Sequence, residues 1–129
     1  MTEDPRWRPL IAEDEIPEGG FTFPYRAGPT TETGILLRTR VGVRAWRSVC
    51  RHLSVPLDHG DPGRFLTADR SLLVCTQHAA LYRPEDGVCI AGPRRGASLR
   101  PLKIAVRQGL VCLDTASFPG PLAGFRSAP

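Results

Sequence analysis

Apolar residues in this chain come in short runs, and glycine or proline interrupts almost every one of them. That pattern predicts short strands and turns rather than long helices. A brief strand is expected near Phe21–Tyr25. Gly34-Ile35-Leu36-Leu37-Arg38-Thr39-Arg40 begins a longer one, Val41-Gly42 supplies a turn, and Val43–Val49 returns as its hairpin partner. Arg64-Phe65-Leu66 and Leu72-Leu73-Val74 read as two short strands around the turn Ala68-Asp69-Arg70. Leu81-Tyr82-Arg83 and Val88-Cys89-Ile90 form a further hairpin around Pro84-Glu85-Asp86-Gly87. Leu102–Val106 and Leu110–Leu113 form the last, around Arg107-Gln108-Gly109. Residues 1–32 carry Pro5, Pro9, Pro17, Pro24 and Pro29 with little periodicity, and are expected to be an extended arm lying on the body. Residues 115–129 read as an irregular tail. The organisation is nested: about 48–93 form an insert, and the strands at about 34–47 and 102–113 are expected to pair as a base beneath it.

Composition agrees with short strands and many turns. The chain has 129 residues with 13 glycines and 13 prolines, one domain's worth of sequence and many turns. No stretch approaches the ~18 apolar residues of a membrane span. The acidic, proline-containing N-terminus lacks the basic and apolar regions of a secretory signal, so a soluble cytoplasmic protein is expected. The net charge is +4 and unevenly placed: residues 1–32 carry seven acids and three arginines, and the other 14 basic groups lie beyond them with six acids. No basic helix or aromatic–basic stripe favours nucleic acid.

Chemistry enters with two short motifs, Cys50-Arg51-His52 and Cys75-Thr76-Gln77-His78, each placed just after a predicted strand. Thiolate and imidazole donors suit both zinc and iron–sulfur clusters. Zinc fingers usually group cysteine with cysteine and histidine with histidine. Here each motif offers one of each, the order a binuclear cluster needs if two loops clamp it and each gives one ligand to each iron. A Cys2His2 zinc module without redox activity is the alternative. Cys89 and Cys112 lie in apolar contexts and read as small buried hydrophobes. His59, in Leu57-Asp58-His59-Gly60, reads as a solvent-exposed loop residue.

Cys50-Arg51-His52-Leu53-Ser54, Cys75-Thr76-Gln77-His78-Ala79-Ala80-Leu81-Tyr82 and Gly87-Val88-Cys89-Ile90-Ala91-Gly92-Pro93 together resemble the Rieske domain signature, over residues about 33–114. The resemblance implies an all-β Rieske fold, a basal antiparallel β-sandwich with a small cluster-binding subdomain. It implies a 2Fe–2S cluster, with Cys50 and Cys75 on the buried iron and His52 and His78 on the outer one. High-potential relatives have a cysteine in each ligand loop, paired as a disulfide. The matching positions here are Val55 and Gln77, so no bridge is expected. Their loop serine corresponds to Ala80, which cannot donate. Tyr82 matches a tyrosine that donates to a ligating sulfur. The family usually has proline at the Thr76 position and glycine at the Ala79 position. The missing bridge and the missing serine donor place the expected potential low in the Rieske range, about −150 to 0 mV.

The implied function is that of a ferredoxin, a one-electron carrier with no enzymatic step of its own. It would serve as the accessory component that takes electrons from a reductase and passes them to an oxygenase or another acceptor. The basic body favours an acidic redox partner. The 17 residues after Cys112 contain no histidine, so the mononuclear iron site of ring hydroxylases is not expected in this chain.

Overall fold

The computed structural model describes residues 6–50, 55–59, 61, 63–76 and 79–115. Among the described residues, nine strands form three antiparallel sheets of three and no α-helix occurs. Strands β1 (Trp7–Ala12), β9 (Leu110–Asp114) and β8 (Ile104–Arg107) make one sheet, in the order β1-β9-β8. Strands β2 (Phe21–Ala27), β3 (Thr30–Thr39) and β4 (Gly42–Arg47) make the second. Strands β5 (Leu73–Val74), β6 (Leu81–Tyr82) and β7 (Cys89–Ala91) make the third and smallest.

The middle sheet is a shared wall between two cores. Side chains alternate across a strand, and the two faces of β3 are both buried. Leu36 joins Phe23, Tyr25, Ala45, Leu102, Val111 and Leu113 in the basal core. Ile35 and Leu37 join Trp46, Leu57, Phe65, Leu73, Tyr82 and Leu99 in the second core, beneath the small sheet. The unbroken run Ile35-Leu36-Leu37 is what a strand covered on both faces requires. Trp46 fastens the two units. It lies on β4, is 5% exposed, and its indole N–H donates to the Pro84 carbonyl at 3.0 Å across the small sheet's hairpin turn.

Three expectations are corrected. The strands at 34–47 and 102–113 do not pair as one sheet. They lie in separate sheets joined by a single bridge, Trp46 to Pro101, flanked by the bonds Arg47 N–H to Arg100 O and Leu102 N–H to Ala45 O. Beside β8, β9 pairs with β1, from the segment expected to be an arm. Pro9 hides β1 in the sequence, because proline removes a ladder donor, whereas β2 lies where a strand was expected near Phe21–Tyr25 despite Pro24. Both β1 and β2 are edge strands, where that loss is tolerated. The β1 pairing shifts register between Pro9 and Ile11. It is closed by Arg6, whose guanidinium meets the 1% exposed Asp114 with two bonds of 3.1 Å. The expected Arg64–Leu66 strand is reduced to one bridge, Leu66 to Leu73.

The other hairpins lie where the apolar pattern placed them. Of the tail, residues 116–129 lie outside the described residues.

Candidate metal centre

Cys50 emerges from β4 and Cys75 from β5, and both are buried, at 2% and 0% exposure. Each opens a loop closed in the same way. The Cys50 N–H donates to the Val55 carbonyl at 2.8 Å, and the Cys75 N–H donates to the Ala80 carbonyl at 2.9 Å. The two loops therefore have equal span, five residues from donor to acceptor. His52 and His78 fall within them in the sequence, but both lie outside the described residues, as does Gln77. Among the described residues no group of three or more metal-ligating side chains occurs.

The loops are tied to each other through one residue between them. Leu57 is fully buried. Its N–H donates to the hydroxyl of Ser48 at 3.1 Å, and its carbonyl accepts from the Thr76 N–H at 2.9 Å and from the Thr76 hydroxyl at 3.1 Å. The same hydroxyl reaches the His59 carbonyl at 2.9 Å. Ser48 stands two residues before the first cysteine and Thr76 one after the second, so this path fixes the loops relative to one another. A proline at position 76 could make none of Thr76's donations. Neither Ser48 nor Thr76 was singled out as a site residue by sequence reasoning. The available signals were a serine just before a metal motif and the departure from proline at 76.

The backbone turns sharply inside the second loop. The Ala79 N–H donates to the Cys75 carbonyl at 2.8 Å, and Ala79 adopts φ 55°, the left-handed region where glycine is favoured. The glycine usual at this position in the resembled family thus has a conformational reason, and this chain meets the same conformation with an alanine. Ala80 beyond it is buried, and Gly92 packs against it from β7's end.

The described half of the site fits a thiolate-bound iron centre. Cys50 and Cys75 are soft donors, kept from water and not joined to another cysteine. The fully buried Tyr82 hydroxyl lies 3.7 Å from the Cys50 sulfur. A hydroxyl there can donate to a thiolate, the partner that tunes iron–sulfur sites. Cys89 and Cys112 are buried as expected, with their thiols near the carbonyls of Ala91 and Leu110. His59 is exposed, as expected.

The family model of the Rieske 2Fe–2S domain matches residues 6–118. The chain belongs to that family. Membership implies a 2Fe–2S cluster as cofactor. The match begins at Arg6, so the β1 strand missed in the sequence is part of this Rieske domain. Its fold is shared with solved structures. One is the reduced complex between oxygenase and ferredoxin in carbazole 1,9a-dioxygenase, at 23% identity, TM-score 0.67 and 85% coverage of this chain. Another is the terminal oxygenase of carbazole 1,9a-dioxygenase from Nocardioides aromaticivorans, at 23% identity, TM-score 0.64 and 85% coverage. A third is the corresponding terminal oxygenase from a Novosphingobium species, at 22% identity, TM-score 0.63 and 84% coverage. The chain spans 28%, 30% and 29% of the length of those three chains. No curated protein matches it.

Proposed function

We propose that this Rieske domain is a one-electron carrier that holds its cluster on Cys50, His52, Cys75 and His78 and delivers electrons to an oxygenase or another acceptor. In this reading the whole chain is a single domain, cytoplasmic, receives its electrons from a reductase, and catalyses no substrate chemistry itself. The observation that carries it is the pair of buried, unbridged thiols at the heads of two equal loops laced together through Leu57. The solved structures of similar fold are named as an oxygenase–ferredoxin complex and as terminal oxygenases, which supports an oxygenase as acceptor. Among the described residues no helix is long and apolar enough to cross a membrane.

The bound cluster supplies reversible one-electron chemistry. The chain's residues supply its setting. Burial at Cys50 and Cys75 excludes water from two of the proposed ligands, and Ser48, Leu57 and Thr76 hold the loops at fixed spacing, so little rearrangement accompanies a change of charge. Tyr82 directs its hydroxyl at the Cys50 sulfur. Tyr82→Phe is expected to keep the fold and lower the midpoint potential, because the lost donor favours the more negative, reduced state. One hydrogen bond contributes about 1 kcal/mol, which is about 40 mV for one electron. Redox titration against the native protein reads it, and an unchanged or raised potential would count against the proposed contact.

Anaerobic purification tests the reading as a whole. The protein should be brown, contain about two irons and two acid-labile sulfides, and on reduction give an EPR signal with average g below the free-electron value. A colourless protein holding one zinc would establish the zinc-module alternative instead.

A further inference from the structure

We propose that the turn from Gly92 to Gly96, carrying Arg94 and Arg95, is the edge on which an acidic face of the redox partner docks. This rests on the electron-carrier reading and adds the surface through which it acts. The turn rides directly on the second ligand loop. A methyl placed on Gly92 would stand 3.0 Å from the Ala80 Cα, and Ala80 supplies the carbonyl that closes the loop on Cys75. The turn is also firmly held. The Gly96 N–H donates to the Cys89 carbonyl at 2.9 Å and the Cys89 N–H to the Ala97 carbonyl at 2.7 Å, while Ala97 N–H to Arg94 O, at 2.9 Å, closes the turn itself. Cys89 is 1% exposed, so the anchor is core.

Arg94 and Arg95 are both exposed, and among the described residues neither belongs to an ion pair. The contrast with the arginines described at 55–93 is what singles them out. Arg64 pairs with Asp61, Arg70 with Glu18, and Arg83 with Asp86. Two adjacent uncompensated cations on a rigid turn beside a ligand loop create a local positive field. Such a field steers an anionic surface toward that loop over about one Debye length, ~10 Å at 0.1 M salt. Rim charges of this kind act on encounter rate.

The test compares Arg94→Glu/Arg95→Glu with Arg26→Glu/Arg107→Glu. The second pair has the same change in net charge but sits on exposed positions of the basal sheets. The reduced holoprotein is oxidised in a stopped flow by ferricyanide, which takes one electron and becomes ferrocyanide. In parallel it is oxidised by hexaamminecobalt(III), a cation that takes one electron to cobalt(II). At low salt the Arg94/Arg95 variant should lose about tenfold in rate with the anion and gain with the cation. Both effects should vanish at high salt. The basal variant should change each rate less than about twofold. Fluorescence anisotropy of a labelled oligoglutamate gives an equilibrium reading, with binding weakened only by the Arg94/Arg95 change. Visible spectra and melting curves should match the native protein. If the two double variants respond alike in both assays, the docking edge is refuted. A protein without an oxidisable cluster would instead refute the carrier reading, while the oligoglutamate comparison would still decide on the patch.

Discussion

Cys50→Ser or Cys75→Ser is expected to yield protein with little or no bound iron and no visible absorbance. A serine oxygen is a harder, far less acidic donor than a thiol and binds iron–sulfur centres poorly. The sites are also intolerant of compromise. Cys75 is 0% exposed and Cys50 2%, so a displaced ligand cannot be replaced by water without opening the core that also contains Leu57, Phe65 and Tyr82. Metal-binding free energy is folding free energy, so the melting temperature should fall along with the iron content. His52→Ala and His78→Ala are expected to damage the cluster as well, while His59→Ala leaves the spectrum nearly intact. Iron and sulfide analysis with visible spectra reads all five variants. Equal loss on His59→Ala would overturn the ligand assignment.

Gly92→Ala should destabilise the protein strongly and speed the loss of iron, whereas Gly96→Ala should do less. Both glycines adopt positive φ, +115° and +94°, so an alanine is strained at either. That strain costs about 1–3 kcal/mol. Only at Gly92 does the added methyl also meet a neighbour, the Ala80 backbone, at 3.0 Å; at Gly96 nothing lies within 4 Å. Overpacking against backbone adds about 1–3 kcal/mol, and here it pushes on the carbonyl that closes the Cys75 loop. Urea denaturation gives the two stabilities, and iron release to a chelator gives the functional consequence. Equal losses at the two positions would mean that the Gly92–Ala80 contact does not hold the loop.

Hairpins were the most legible part of the fold. The β3–β4, β6–β7 and β8–β9 pairs join residues close in sequence, and turn residues mark each one. The strands that pair at long range were not. β1 reaches β9 across nearly the whole chain, and Pro9 disguises β1 because an edge position is not visible before the sheet order is known. The positive φ of Ala79 is the conformation that the resembled family's glycine at this position signals, and an alanine adopts it here.

The chemistry was legible before any fold: two cysteine–histidine motifs, their mixed order, and the family they belong to. Motif spacing is local covalent information, and it survives without a fold. Long-range contacts alone reveal that Ser48, Leu57 and Thr76 lace the two loops together, that Tyr82 faces Cys50, and that Arg94 and Arg95 stand beside the second loop without a carboxylate partner among the described residues. Those relations join residues far apart along the chain. They exist only once β3, buried on both faces, has fixed where the small sheet sits on the basal sandwich.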